Sequence, residues 1–291
     1  MIRFLACLAF VVAGTAAAAS VTVTVVDDAG RTVTLAAPAR RIVSLAPNIT
    51  DTLFAAGAGA YVVGTSRFTE YPPEARKVPV VGDATTLDLE RIVGLKPDII
   101  VIWKSGTPAA QVDKLKQLGI PVFYAETVRL ADIAPAVRRF GTLAGTSAAA
   151  DQAARTFDAA LDHLRGAYAG KRRLKVFYQV WDRPLMTIGH AQITDDALSL
   201  CGGDNVFADL AQAAPTVTRE AVLARNPDAI LGGGDGGSLD GWRHIAFLAA
   251  ARHGNVLAVD APTLALPSPS ILPGVQTLCH VLDDARTRAG P

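Results

Sequence analysis

The segment ERIVGLKPDIIVIW, Glu90 to Trp103, has a partial echo in EAVLARNPDAILGG, Glu220 to Gly233. In each, a glutamate opens a helical run, Pro-Asp follows seven and eight residues later, and an apolar strand-like run comes next. A second match keeps the same order. Ile49-Thr50-Asp51 opens a helix of the front half that Gly57 closes, with Asn48 or Thr50 as its cap, and Ile193-Thr194-Asp195 opens its counterpart in the back half. Around these matches, apolar runs such as RIVSL, YVVGT, DIIVIW and IPVFYA alternate with helical runs. Strands separated by helices of this length indicate βαβ units and mainly parallel sheets. Their continuous apolarity fits sheets covered on both faces. Between the halves, Ser147 to Tyr168 is Ala-rich, free of Pro, and apolar every three to four positions, the pattern of one long helix. The expected fold is therefore α/β: two Rossmann-like lobes, residues 20–146 and 170–291, joined by one long helix over residues 147–169.

Composition narrows the function classes. The chain has 291 residues, half of them hydrophobic, with 28 Lys plus Arg against 27 Asp plus Glu. That balance argues against a nucleic-acid partner, which needs a clustered basic excess. The first residues, MIRFLACLAFVVAGTAAAAS, combine one Arg, an apolar run and an A-x-A pattern, which reads as a secretory signal over residues 1–19. The apolar part is too short to span a bilayer, so an exported chain with no direct membrane insertion is expected. Removing that signal removes Cys7 and leaves Cys201 and Cys279. An even pair in an oxidising compartment points to one disulfide inside the back half, the alternative being two buried free thiols. No metal site and no cofactor are expected, because two thiols without paired histidines fall short of a zinc set.

Two α/β lobes leave a cleft at the carboxyl ends of their strands, where ligands of such sheets bind. The segments RIVSLAPNITDTLFAAG, YPPEARKVPVVGD, LDLERIVGLKPDIIVIW and LCGGDNVFAD resemble the periplasmic vitamin B12 (cobalamin) binding proteins, in the helix-linked class that serves ABC importers for cobalamin, haem and iron–siderophore complexes. The resemblance covers nearly the whole chain from Arg41 onward. It implies a monomer that captures a corrinoid between its lobes and hands it to a membrane permease, with haem or a ferric siderophore as the alternative ligand. It also implies that Glu90 and Glu220, one per lobe, dock the permease, and that Cys201 pairs with Cys279. A two-fold permease independently calls for a similar charged contact from each lobe. The other reading is that each glutamate only favours the start of its helix.

The expected cleft residues lie at strand ends and in the following loops: Pro47, Asn48, Ser66, Phe68, Thr85 and Trp103 in front, and Trp181, Met186, His190 and Asp235 behind. Large flat ligands suit aromatic walls with a few polar contacts. Loops that carry tryptophan in well-known cobalamin binders hold Ala84, Ala214 and Leu264 here, so wall aromatics are expected to have moved to Phe68, Trp181 and Trp242. By register with Ala46, His190 falls at a strand end facing the cleft, either as a ligand for a bound metal or as a polar loop residue. Tyr71, beside two prolines, reads as part of a packed turn. GGGDGG, Gly232 to Gly237, lacks the Lys-Ser/Thr of a nucleotide loop. An exported hydrolase would need a nucleophile, base and orienting acid, and G-x-S-x-G is absent. No catalytic residue is expected.

Overall fold

The computed structural model describes residues 22–83, 86–233 and 238–290. The expected signal segment, Thr85 and Asp235 lie outside those residues. A hairpin of β1 (Val23–Val26) and β2 (Thr32–Leu35) opens the described chain. The front lobe then alternates β3 (Ile42–Ser44), α1 (Pro47–Ala55), β4 (Val62–Gly64), α2 (Leu89–Gly94), β5 (Ile99–Trp103), α3 (Ala109–Gln117), β6 (Val122–Ala125) and α4 (Leu130–Ala144). Its four strands are all parallel, in the order β4-β3-β5-β6. The helix α1 starts without a side-chain cap: Pro47 takes the first helical position, where its missing N–H costs nothing, behind Ala46. Neither Asn48 nor Thr50 is the cap, and the Thr50 hydroxyl instead bonds Ser44 Oγ at 2.8 Å.

The long helix α5 (Ser147–Tyr168) follows. Its buried residues Ala150, Ala154, Phe157, Leu161, Leu164 and Tyr168 step by four and three, which is one helical stripe. That stripe packs against α4 so tightly that a Cβ added at Gly141 would lie 2.2 Å from the Ala150 methyl. Only glycine fits there.

The back lobe runs β7 (Leu174–Trp181), β8 (Met186–Thr187), α6 (Ile193–Leu200), β9 (Gly203–Asn205), α7 (Arg219–Arg225), β10 (Ala229–Gly233), α8 (Asp240–Arg243), α9 (Ala249–Arg252), β11 (Val256–Val259) and α10 (Leu272–Ala289). Its core order is β11-β10-β7, all parallel. The remaining edge of β7 is shared: β9 pairs in parallel with Leu174 to Val176, and β8 pairs antiparallel with Gln179 and Trp181. Cys201, at the end of α6, and Cys279, in α10, form a disulfide with Cα atoms 4.8 Å apart.

The echo in sequence is an echo in structure. Lys96 and Asn226 both adopt left-handed backbone, φ 47° and 43°. One residue after each proline, the Asp side chain ties its strand to the first strand of the same lobe. Asp98 Oδ2 accepts from the N–H groups of Arg40 (2.7 Å) and Arg41 (2.9 Å), and Asp228 Oδ2 accepts from that of Lys175 (2.9 Å). Asp88 caps α2 through the Arg91 N–H (2.9 Å), and Thr218 caps α7 through that of Ala221 (3.2 Å).

The lobes also cap each other. Asp51, buried on α1, accepts from the N–H (3.2 Å) and hydroxyl (2.9 Å) of Ser270, in the 3-10 turn Pro269–Ile271 that leads into α10. Reciprocally, Asp196 on α6 accepts from the N–H of Leu130, the first residue of α4, at 2.8 Å. Each lobe's first helix thus supplies the acid that closes the start of the other lobe's last helix.

Candidate functional site

The carboxyl edges of both sheets meet in a groove. Pro47, Phe68, Glu70 and Tyr71 from the front lobe face Pro262, Ala265 and Leu266 from the back lobe across a hollow of about 240 Å³. That is below the ~300–1,000 Å³ of enclosed small-molecule sites, so a bulky ligand can only sit astride it with part of its surface outside. The lining is apolar and aromatic with one acid, Glu70, and no base among the described residues. A larger hollow, about 630 Å³, runs beside it between α1 and the start of α10, with Asp51 and Glu74 on one wall and Ser270 and Gln276 on the other. It lies along helix flanks, whereas the smaller hollow lies at the strand ends.

The front wall rests on a buried hydroxyl network. Thr50 Oγ1 lies 2.8 Å from Thr65 Oγ1, which donates to Thr69 Oγ1 at 3.0 Å, and Thr69 Oγ1 donates to the Ser66 carbonyl at 2.8 Å. The network fixes the turn after β4, and within that turn Phe68 takes φ 64° and stands 77% exposed beside the groove. Ser66 is only 2% exposed and its hydroxyl lies 3.3 Å from Thr69 Oγ1. The structure therefore places it under the wall instead of on it. Tyr71 lines the hollow instead of packing away in a closed turn.

Trp103 ends β5 and is 39% exposed; Trp181 ends β7 and is 48% exposed. The Leu45 N–H bonds the Val101 carbonyl, so two residues further on Trp103 stands level with Ala46, between β3 and α1. Its indole N–H donates to Glu126 Oε1 at 2.9 Å, whereas that of Trp181 donates to the carbonyl of Arg183, two residues on, at 3.1 Å. Met186 is half-buried opposite Trp181. Asn48, half-buried, follows Pro47 in the first turn of α1.

Two expectations need correction. Trp242 is no wall residue. It is 1% exposed, edge-on to Phe177 with ring centroids 5.6 Å apart, and donates its N–H to Gln179 Oε1 at 2.8 Å. A short helix, α8, carries it into the core, where Arg219 lies 4.1 Å over its ring. His190 does not sit at a cleft-facing strand end. The strand before it, β8, is antiparallel, so the chain leaves Trp181 at Met186 and heads back toward the amino end of β7. His190 ends beside the 208–210 segment, its N–H on the Leu210 carbonyl (3.1 Å) and Nδ1 3.1 Å from the Ala208 carbonyl. Near it, burial pushes the Asp195 carboxyl up, against a 2.7 Å hydrogen bond from Asn205 that favours its charge.

Glu90 and Glu220 occupy the same position, second in α2 and second in α7, and both are exposed. Helices that connect parallel strands run against them, so α2 and α7 begin at the carboxyl edges of their sheets. The Glu220 backbone N–H and the Thr218 hydroxyl hold the Glu220 carboxyl below the usual range. It is thus anionic at any ordinary pH.

Sequence reasoning missed Glu126 and the Thr65–Thr69 network; the loop Leu264 to Ser268, which follows a strand and is for that reason a cleft candidate in the sequence, borders the hollow. Within it, Leu264 and Ser268 turn inward while Ala265 and Leu266 line the hollow.

Comparison with known proteins agrees with this arrangement. A vitamin B12-binding protein of Salmonella paratyphi A is 37% identical over 248 residues, 84% of this chain and 90% of that protein. The crystal structure of the periplasmic vitamin B12 binding protein BtuF of Vibrio cholerae superposes with a TM-score of 0.78 at 34% identity, covering 85% of this chain and 98% of that one. The periplasmic heme-binding protein RhuT from Roseiflexus sp. RS-1, in apo form, gives 0.73 at 25% identity, covering 84% and 98%. The family model described as periplasmic binding protein matches residues 42–264, and the chain belongs to that family.

Proposed function

We propose that this protein captures vitamin B12 or a related corrinoid in the periplasm and delivers it to an ABC importer. The observation that carries the reading is the groove itself. Its walls are Pro47, Phe68, Tyr71, Pro262 and Leu266, with the two half-exposed indoles Trp103 and Trp181 at strand ends and no basic residue in the lining among the described residues. A corrinoid presents methyl-rich faces and neutral amides, which such walls suit. A ferric siderophore or a haem with two propionates would call for neighbouring cations. The relatives at 31–37% identity that bind vitamin B12 support the same choice. Pro47, Asn48, Phe68, Trp103, Trp181 and Met186 are the proposed contacts. Thr85 and Asp235 belong to the proposal by sequence position alone.

Delivery is assigned to Glu90 and Glu220. In the echoed segments the aspartates are consumed by the fold, tying strands together. The glutamates project from matching helix starts at the carboxyl edges of their sheets, as a two-fold partner requires. No helix among the described residues is long and apolar enough to cross a membrane. Export through a cleaved segment near residues 1–19 completes the reading, and mass spectrometry of the periplasmic protein checks it.

The deciding experiment is a titration of the purified protein with cyanocobalamin, followed by tryptophan fluorescence and by heat. Saturation at or below micromolar ligand is the expected result. Silence toward cyanocobalamin combined with saturation by haemin sinks the corrinoid assignment and leaves a haem carrier of the same fold.

A further inference from the structure

We infer that Glu126 is a positioning residue: it clamps the Trp103 indole in one orientation so that a single ring face forms a rigid wall of the groove. The inference rests on the reading of the groove given above, and deepens it. The strands β5 and β6 pair Trp103 with Ala125, and the Lys104 N–H closes the ladder on the Ala125 carbonyl at 3.0 Å. The next residue, Glu126, folds its carboxylate back over the end of β5. Its Oε1 accepts from Trp103 Nε1 (2.9 Å) and from Ser105 Oγ (3.1 Å), while Oε2 accepts from the Ser105 N–H (2.9 Å). All three donors belong to the strand end that carries the indole.

The clamp is itself anchored. The Glu126 N–H donates to Asp28 Oδ2 at 2.8 Å, and Asp28 is held by Arg139 at 2.7 and 2.9 Å. The underside of the indole lies against the backbone of Gly106, so close that an added Cβ would fall 1.8 Å from a ring carbon. Edge and one face are therefore fixed, while the residue stays 39% exposed at the strand end, level with Ala46. Among the described residues, the Trp181 indole donates only to a carbonyl two residues along its own chain, and no acid from another strand holds it. The two indoles thus differ in kind, one preset and one adaptable. A preset ring loses less freedom when a flat, methyl-rich ligand covers it, and ordering one such side chain is worth roughly a 2- to 10-fold change in affinity.

Glu126→Ala and Glu126→Gln, each made alone and in a Trp103→Phe background, test this with cyanocobalamin as the probe. A second, ligand-free readout is acrylamide quenching in a Trp181→Phe background, where emission comes from Trp103 and the buried Trp242. Glu126→Ala should weaken cyanocobalamin binding about 2- to 10-fold and raise quenching of Trp103. Glu126→Gln, which keeps an acceptor for the indole, should stay near the parent in quenching. In the Trp103→Phe background, Glu126→Ala should change affinity no further. Unchanged quenching in Glu126→Ala, quenching in Glu126→Gln as high as in Glu126→Ala, or an equal affinity loss with and without Trp103 overturns the clamp. If the parent protein ignores cyanocobalamin, the proposed ligand falls, and the quenching series still decides whether Glu126 holds the indole.

Discussion

The front and back lobes share a strand order and differ at their edges. In the front sheet, the side of β3 away from β5 is paired with β4 alone. In the back sheet the equivalent edge of β7 is divided between β9 and the inserted antiparallel strand β8. The back lobe also carries the Cys201–Cys279 bridge, and the front lobe has no cysteine at all. What stays the same is the framework, with the left-handed turn before Pro-Asp, the strand-tying aspartate and the capped short helix, together with the exposed glutamate that the proposed docking to a two-fold partner would use. What diverges lies at the outer edge of the first strand and in the bridge that staples the back lobe. A duplicated scaffold keeps its repeated framework and spends its freedom at such places.

The sharpest way to break that comparison is at the two glutamates. Glu90→Ala with Glu220→Ala should abolish importer-dependent uptake while leaving the cyanocobalamin dissociation constant within about twofold, since exposed charges that do not line the groove contribute little to it. Either single change should impair uptake to a similar degree if the lobes are equivalent partners. A large loss of affinity would put these carboxylates in the ligand site and end the docking assignment.

Next in size is the staple. Replacing both Cys201 and Cys279 by Ser should cost about 4 kcal/mol, the chain-entropy value for a loop of this length. At roughly 2–4 °C per kcal/mol, the melting temperature should fall by about 10 °C. Hydrogen exchange should rise first in α6, β9 and α10, while β3, β5 and β6 keep their protection. Equal loosening of both lobes would show that they unfold as one unit.

The reciprocal caps come third. Asp51→Ala and Asp196→Ala should each cost about 1 kcal/mol, the usual value of a helix cap, with the lost stability read from denaturant unfolding. Because the two aspartates occupy matching helices, their losses should be alike. A silent Asp196→Ala would show that the α4 cap is decorative.

The smallest effect is one of pH, and here the lobes carry opposite signs. Burial raises the Asp27 carboxyl, but hydrogen bonds from Arg31 and from the Tyr124 N–H outweigh it and hold the group below its ordinary value. Its contribution is present above the unfolded value of ~3.9 and is lost as pH falls through the lower folded value. Asp27→Asn should therefore destabilise at neutral pH, with the gap closing in acid. Asp195 is pushed up, so ionising it costs stability as pH rises through its raised value. Asp195→Asn should be neutral or stabilising at pH 7 and indistinguishable from the parent near pH 3. Melting curves across pH check both signs.

Much of this was legible in the sequence because it was written locally. The Glu…Pro-Asp echo announced duplicated βαβ units, Thr218 announced a helix start, and the pairing of Cys201 with Cys279 followed from counting and from family resemblance. What escaped depended on contacts between distant residues or on strand direction. The run around Met186 reads as a strand in either direction, and only its antiparallel pairing removes His190 from the cleft. Trp242 looks like a mobile wall until Gln179, 63 residues earlier, satisfies its N–H inside the core. Ser66 sits in a loop by every local sign, yet the hydroxyls of Thr65 and Thr69 draw that loop under. Glu126 gave no local signal because its task is on another strand.

The crossed bonds from Asp51 to Ser270 and from Asp196 to Leu130 have a consequence for cargo release. A carrier whose halves are latched at both ends will not drop its load by breathing open in free solution. If the protein delivers a ligand as proposed, unloading has to be forced from outside, by a partner that wedges the jaws apart against those latches. The energy for letting go would then come from that partner, and tight holding in solution would not amount to trapping.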